Sequence, residues 1–423
     1  MDFIPFLFRL MYFIQAIPHN LIPVNIYFTN ILLILVLYMK STFSKLIVSI
    51  ELITLMGLAA LTWYQSHNSS SLLGLLDHSA ARQPAASRNT ESSDSGRADF
   101  IKWVDFNVTS EAMNDAYQYD LKSHDTDTPI DWVSLLAVMG VKYGGDFKNY
   151  KSSDMSEVAD KILNKESTLE EITKDMKYFD YYNEAYQAVL GGFVGEYTIL
   201  PNSSAQTNPD ITTKENEGAA KTAYGLKAFS PIAKGFPYTD YDDFGTSRSF
   251  GFRRQHLGHD MMGQIGTPII AVESGYVECL GWNRYGGWRI GIRSFDQKRY
   301  YYYAHLRQNF PYNKSLKEGS VVTAGDVIGY MGHTGYSDKE NVNNIDIIHL
   351  HFGMQLIFDE SQKDGNGEIW ISCYELTRFL SQNRCEAVKD EATKEWHRIQ
   401  DLIDPAVENY KKISSKNKIT KQE

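Results

Sequence analysis

Six of the chain's 11 histidines fall between Arg253 and Gly353: His256, His259, His305, His333, His349 and His351. Histidine is the commonest metal ligand and the usual acid–base group near neutral pH. His349 and His351 lie two apart in the β-branched, apolar run 345–352, which reads as a strand. Residues i and i+2 of a strand share a face. Both imidazoles therefore point one way, while Ile348, Leu350 and Phe352 point into a core. His256 and Asp260 bracket a short turn containing Gly258, close enough to reach one ion. Two histidines and one carboxylate make the three-ligand set of a catalytic Zn²⁺ site, whose fourth position is left for water. Water held in that way loses a proton near neutral pH and becomes a nucleophile.

The same spacing carries a resemblance. His256-x-x-x-Asp260 followed by His349-x-His351 resembles the M23 peptidases, the lysostaphin and LytM type of peptidoglycan endopeptidase. Further segments fall in family order: Gly266-Thr267-Pro268, Ser274-Gly275-Tyr276-Val277, Tyr303-Ala304-His305-Leu306, Gly325-Asp326-x-Ile328-Gly329 and Gly332-x-Thr334-Gly335. The resemblance covers residues 223–385. It implies Zn²⁺ as cofactor, with His256, Asp260 and His351 as ligands. It implies His305 and His349 as unligated catalytic histidines. His349 would take the proton of the attacking water, and His305 would stabilise the oxyanion or protonate the leaving amine. The two roles are exchangeable at this level. The family uses the outer histidine of the first motif, so His259 is not a ligand, and His333 sits in a turn expected to face solvent. Alternation along Tyr300–Tyr303 puts Tyr301 and Tyr303 on the face of His305, where they are expected to border the cleft and touch substrate. The rival from another class is a non-catalytic LytM-like scaffold that binds the wall or a division or sporulation partner. Such relatives typically lose ligands, and none of the five residues is missing here.

Composition sets bounds on partners. A chain of 423 residues has room for two or three domains. Its net charge of -10 argues against nucleic acid, which requires basic patches. Three cysteines, Cys279, Cys373 and Cys385, without CxxC spacing give no disulfide framework and no thiolate metal site. A single bridge such as Cys373 to Cys385 stays open.

Several elements must carry these residues. Residues 1–64 read as a membrane anchor of one to three transmembrane segments. Leu46–Tyr64 is long and apolar enough to span a bilayer. Leu21–Tyr38 pairs with it, and Phe3–Ile17 is ambiguous. Lys40 and Lys45 flank the N-terminal side of Leu46–Tyr64, so residues after Gln65 are expected outside the cytoplasm. Met39-Lys40 before the apolar run also has the layout of a signal anchor. Residues 65–99, rich in Ser, Ala, Asn and Arg, read as a flexible linker. Residues 100–199 read as a small helical domain. Its helices are expected after Thr109, from Asp131 to Gly144, over 155–163, and from the capping box at Thr168 through to Val189. The run Leu135–Gly145 resembles the helix that carries the catalytic glutamate of lysozyme-like transglycosylases. Lys142 stands at that position, and a lysine cannot protonate a glycosidic oxygen as a carboxylic acid does. Residues 200–222 read as a second linker. The acidic turn Asp240–Asp243 is expected to line the groove or cover the sheet. From Gly266 onward short strands alternate with Gly turns, as in a small antiparallel β-sandwich or barrel. The segment 316–329 resembles biotinyl/lipoyl folds, with which M23 domains share a core, but lacks their modified lysine. A helix is expected over Ser372–Asn383, and 386–423 reads as a polar tail, helical at first and then frayed. The reading is thus an α+β multidomain chain: a membrane-anchored zinc metalloendopeptidase acting on peptidoglycan peptides on the wall side of the membrane.

Overall fold

The computed structural model describes residues 100–200, 220–365 and 367–420. All of them belong to one compact unit, Arg82–Glu423. The expected membrane segments of 1–64, the linker 65–99 and most of 200–222 lie outside the described residues. Among the described residues, no helix is long and apolar enough to cross a membrane.

Five helices come first. Helix α1 (Ser110–Ser123) is capped by Thr109, whose Oγ1 accepts from Ala112 N. Helix α2 (Trp132–Tyr143) is capped by Asp131 and stops at Gly144, whose φ of 62° is the left-handed conformation that favours glycine. Its residues 132–140 are all buried, so α2 is the centre of the helical part. A Cβ at Gly140 would lie 3.0 Å from the Tyr182 ring, so glycine lets the next helix but two approach closely. Lys142 pairs with Asp154 at 3.1 Å, on α3 (Ser152–Leu163), and serves helix packing. The capping box at Thr168 is present but starts only the short α4 (Leu169–Thr173). The chain then turns through Met176 and begins again as α5 (Phe179–Leu190), where one continuous helix was expected.

The helical part is continuous with the strands. Strand β1 (Val194–Ile199) leaves it and pairs antiparallel with β2 (Lys221–Leu226), so residues 221 and 222, expected in the second linker, lie in a strand. The strands β3 (Thr239–Asp240), β4 (Ser247–Phe250), β5 (Phe252–Gln255) and β6 (His259–Met262) lead into the sheet. Next come β7 (Pro268–Ile270), β8 (Gly275–Asn283), β9 (Gly287–Ser294) and β10 (Arg299–Ala304). They are followed by β11 (Val321–Val322), β12 (Val327–Tyr330), β13 (His349–Leu356) and β14 (Ile369–Ile371). The main sheet runs β11-β8-β9-β10-β13-β6-β3, with β14 beside the far half of β13. Its pairings are antiparallel, as expected. A separate antiparallel pair, β7 with β12, adds Ile269 and Ile328 to the core that holds Ile290 and Ile292 of β9.

One buried cation joins helices to sheet. Arg299, at the start of β10, donates from Nη1 to the carbonyl of Ala188 at 2.8 Å, near the end of α5. Its Nε and Nη2 donate to Glu273 at 2.8 and 3.0 Å. Helix α6 (Tyr374–Leu380) lies within the span expected to be helical. The tail differs from expectation. It forms a hairpin, β15 (Ala387–Lys389) with β16 (Trp396–Arg398), then β17 (Leu402–Ile403) against β1, and only then α7 (Pro405–Thr420). Trp396 explains the hairpin: its ring packs edge-on against Phe236 at 5.2 Å, apolar surface a polar tail would leave in water. All three cysteines are free, and burial pushes the Cys373 thiol up to about 12.

Candidate active site

Two neighbouring strands set the site. In the β13–β6 ladder His351 stands opposite Asp260. Directly opposite side chains on one face of an antiparallel pair lie within contact reach. Asp260 Oδ1 is 2.9 Å from His351 Nδ1. His256 arrives from the loop between β5 and β6. That loop is pinned by His256 N donating to Thr246 O at 2.8 Å and Gly245 N donating to His256 O at 2.7 Å. The loop crosses directly over His351: a Cβ at Gly258 would fall 2.5 Å from that ring, so only glycine fits. His256 Nε2 ends 3.0 Å from Asp260 Oδ1 and 2.9 Å from His351 Nδ1.

The outer contacts define tautomers. His256 Nδ1 lies 3.1 Å from the Asp243 carbonyl and 3.2 Å from Asp243 Oδ2. Both are acceptors, so Nδ1 carries a hydrogen in either charge state, and Nε2 presents its lone pair once the imidazole is neutral. Asp260 is divided likewise. Oδ1 faces the two histidines, while Oδ2 accepts from Arg248 Nη2 at 3.2 Å, and the same Nη2 donates to Asp243 Oδ2 at 2.7 Å. Burial disfavours charge on His256, but Asp243 and Asp260 outweigh it and hold the imidazole up at about 9. Burial likewise opposes the charge of Asp243, yet hydrogen bonds from His256 and His259 bring it down to about 2. Asp260 is buried too, and its histidine neighbours hold it well below the carboxylate range.

His349 and His305 flank this group. His349 Nδ1 lies 2.8 Å from Ile347 O, and His305 Nδ1 lies 2.9 Å from Thr334 O. Each Nδ1 therefore holds its hydrogen against a carbonyl. His349 Nε2 is 3.6 Å from Asp260 Oδ1, and the His305 and His349 ring centres are 4.6 Å apart. Burial, then the neighbouring His349 and His351, push the His305 pKa well below its ordinary value, so it is neutral at pH 7.

The structure corrects the tyrosine expectation. Tyr301 and Tyr303 are both 0% exposed and face the core. Tyr301 Oη donates to Glu273 at 2.5 Å, and Tyr303 Oη accepts from Val272 N at 3.1 Å. They do not border the cleft. Tyr302 does face the site, edge-on to the His351 ring at 5.8 Å. The reason is His305, whose φ is 61°. Strand alternation stops at Ala304, and the left-handed residue turns its side chain to the face of Tyr302. His259 faces away from the three donors, bonded to Asp240 at 3.0 Å. His333 is half-buried and bonded to Ile345 O, not turned to solvent. The strand starts at His349, not at 345, because the chain bends to bring Ile347 O onto Nδ1. Sequence reasoning missed Asp243 and Arg248 as supports of the site. The acidic turn Asp240–Asp243 was their only signal.

A scaffold of antiparallel strands that brings two histidines and one carboxylate together is suited to a metal-dependent hydrolase. Residues 254–364 match the model described as Peptidase family M23, and the chain carries an M23 peptidase domain there. M23 peptidases are zinc-dependent. The chain is 42% identical over 138 residues to an L-Ala–D-Glu endopeptidase of Bacillus subtilis (strain 168), covering 30% of this chain and 41% of that protein. It is 40% identical over 98 residues to lysostaphin of Staphylococcus staphylolyticus, covering 23% of this chain and 18% of that protein. The chain thus spans less than half the length of these relatives. A solved structure from Ruminococcus gnavus ATCC 29149, provisionally assigned as a glycyl-glycine endopeptidase lytM, aligns with a TM-score of 0.44 and 21% identity over 68% of this chain and 93% of that one.

Proposed function

We propose that this chain is a membrane-anchored zinc metalloendopeptidase that hydrolyses peptide bonds in the stem or cross-bridge peptides of peptidoglycan. One observation carries the reading. His256, Asp260 and His351 each offer a donor atom within 4.8 Å of the others, beside two further histidines. The donor set fits zinc. It is two imidazoles and one carboxylate, with lone pairs converging and outer atoms tied to Asp243 and Arg248. Zinc bound there supplies Lewis acidity toward a carbonyl and lowers the pKa of water. His305 is neutral, with its hydrogen on Nδ1, so its Nε2 suits acceptance of a proton from the attacking water. His349, whose ring centre lies 4.6 Å from that of His305, is placed to stabilise the oxyanion or to serve the leaving amine. Anchoring through residues 1–64 places these groups on the wall side, next to their substrate.

The test uses residues 82–423 rather than 223–385, because the shorter piece lacks β1 and the α5 carbonyls that bind Arg299. We expect stoichiometric zinc by atomic absorption and new peptide termini from isolated wall by mass spectrometry. Zinc without cleavage would indicate the scaffold role instead. No zinc would sink the reading altogether.

A further inference from the structure

A cavity of about 570 Å³ shares no residue with the histidine cluster. Its size suits a small ligand or a short peptide, for which pockets of about 300–1,000 Å³ are usual. Three stretches wall it: residues 264–267 after β6, the segment from Arg307 to Lys314 after β10, and the β15–β16 hairpin. Arg307, Lys314, Lys389 and Lys394 line it, against the single carboxylate of Glu395. That cationic balance stands out in a chain of net charge -10. Glu395 is already engaged, accepting from Tyr330 Oη at 2.6 Å and lying 3.7 Å from Lys314 Nζ.

Arg307 is set for a ligand. Its Nε donates to Phe310 O at 3.1 Å, and its guanidinium lies 4.5 Å from the Tyr330 ring centre. Among the described residues, neither Nη makes a hydrogen bond or ion pair. A guanidinium held through Nε and against an aromatic ring, with its outer fork open, is preorganised for a planar anion. Thr267, also in the wall, has a buried hydroxyl with no partner among the described residues. Unsatisfied buried polar groups are uncommon and call for an occupant. Phe310 and Ile265 on the rim are 59% and 52% exposed, apolar surface that a bound ligand would cover.

We propose that this cavity is a second substrate site that binds a carboxylate-bearing peptide segment. Arg307 takes the carboxylate, the lysines surround it with positive charge, and Phe310 and Ile265 cover its apolar flank. The choice of a peptide rests on the peptidase reading of the histidine cluster. Ile265 is five residues from Asp260, and an extended chain spans at most about 3.6 Å per residue, so the two lie within roughly 18 Å. A cross-linked wall peptide longer than its scissile bond can reach both.

The test is binding, measured on the full chain in detergent after metal removal, so that cleavage plays no part. The probes are a fluorescent Ala-D-Glu-Gly-Gly peptide and the same peptide with its carboxyls amidated. We expect the acidic peptide to bind at least tenfold more tightly. Arg307→Gln should abolish that preference, and Lys389→Gln, on the exposed hairpin, should reduce it severalfold without risk to the fold. Equal affinity for the two peptides, binding of neither, or a preference that survives both substitutions overturns the proposal. So does binding of a glycerol phosphate oligomer with no binding of the acidic peptide. Cleavage of a neutral glycine peptide by the zinc-loaded chain is measured separately. Its absence counts against the peptidase reading and leaves the carboxylate preference standing.

Discussion

His256, Asp260 and His351 meet because three different constraints coincide: a ladder register, a loop pinned to Thr246, and a glycine at 258. Removing one donor leaves two, which hold a metal poorly. His351→Ala should therefore lose zinc, whereas His259→Ala should keep it, because His259 faces Asp240. Atomic absorption on both variants checks the assignment, and zinc retained in His351→Ala refutes it. His305→Ala and His349→Ala should keep zinc but lose about 10²- to 10⁴-fold in rate, the usual worth of an acid–base group. Wild-type cleavage by either variant removes that residue from the mechanism. The pH dependence has a definite sign. In the metal-free chain His256 is held up at about 9, so at neutral pH it carries a proton that zinc must displace. Zinc affinity should rise about tenfold per pH unit from neutrality and level off near 9, with proton release on binding. An affinity that is flat across that window, measured with a competing chelator, would contradict this.

Arg299 shows how elements are held in place. It is fully buried, and its partners come from α5, from Glu273 and from Asp296. A buried pair adds little over an apolar one, but breaking it leaves an uncompensated charge. Arg299→Met should destabilise the fold by about 3–5 kcal/mol, and adding Glu273→Gln should restore part of that. Thermal unfolding of the two variants decides the point. A single variant as stable as wild type would mean the helices are joined to the sheet by packing alone. The β4–β5 hairpin is a second such element. Arg248 on one strand braces Asp260, while Phe250 stacks on Tyr336 at 4.9 Å, and Tyr336 lies edge-on to His305.

The whole chain must deliver this site to its substrate. In the function proposed above, the charge asymmetry around Leu46–Tyr64 is what orients the histidine cluster to the wall side of the membrane, and that orientation is open to test. Protease added to intact protoplasts should release a soluble fragment containing His256 to His351. Protection of that fragment until the membrane is broken would reverse the orientation. It would also leave a peptidase of this kind without cross-linked substrate.

The sequence alone determined which side chains are candidates for the centre, because residue type, order and spacing are properties of the chain itself. His256-x-x-x-Asp260 and His349-x-His351 picked out the residues that the fold brings together. It also determined the caps at Thr109 and Thr168, a helix beginning at Asp131 and the stop at Gly144, since such signals act through near neighbours. Tertiary structure decided what depends on distant partners. Strand periodicity assigned Tyr301 and Tyr303 to the cleft, but a left-handed φ at His305 reversed the face, and that conformation is imposed by Gly286 and Thr334. Asp243 read only as part of an acidic turn and Arg248 gave no signal, until the hairpin folded them against His256 and Asp260. The tail read as solvated because its charges outnumber its apolar residues. Trp396 reaching Phe236, more than 150 residues earlier in the chain, turned it into a wall of the second cavity. Local pattern carries no record of a contact made at that separation.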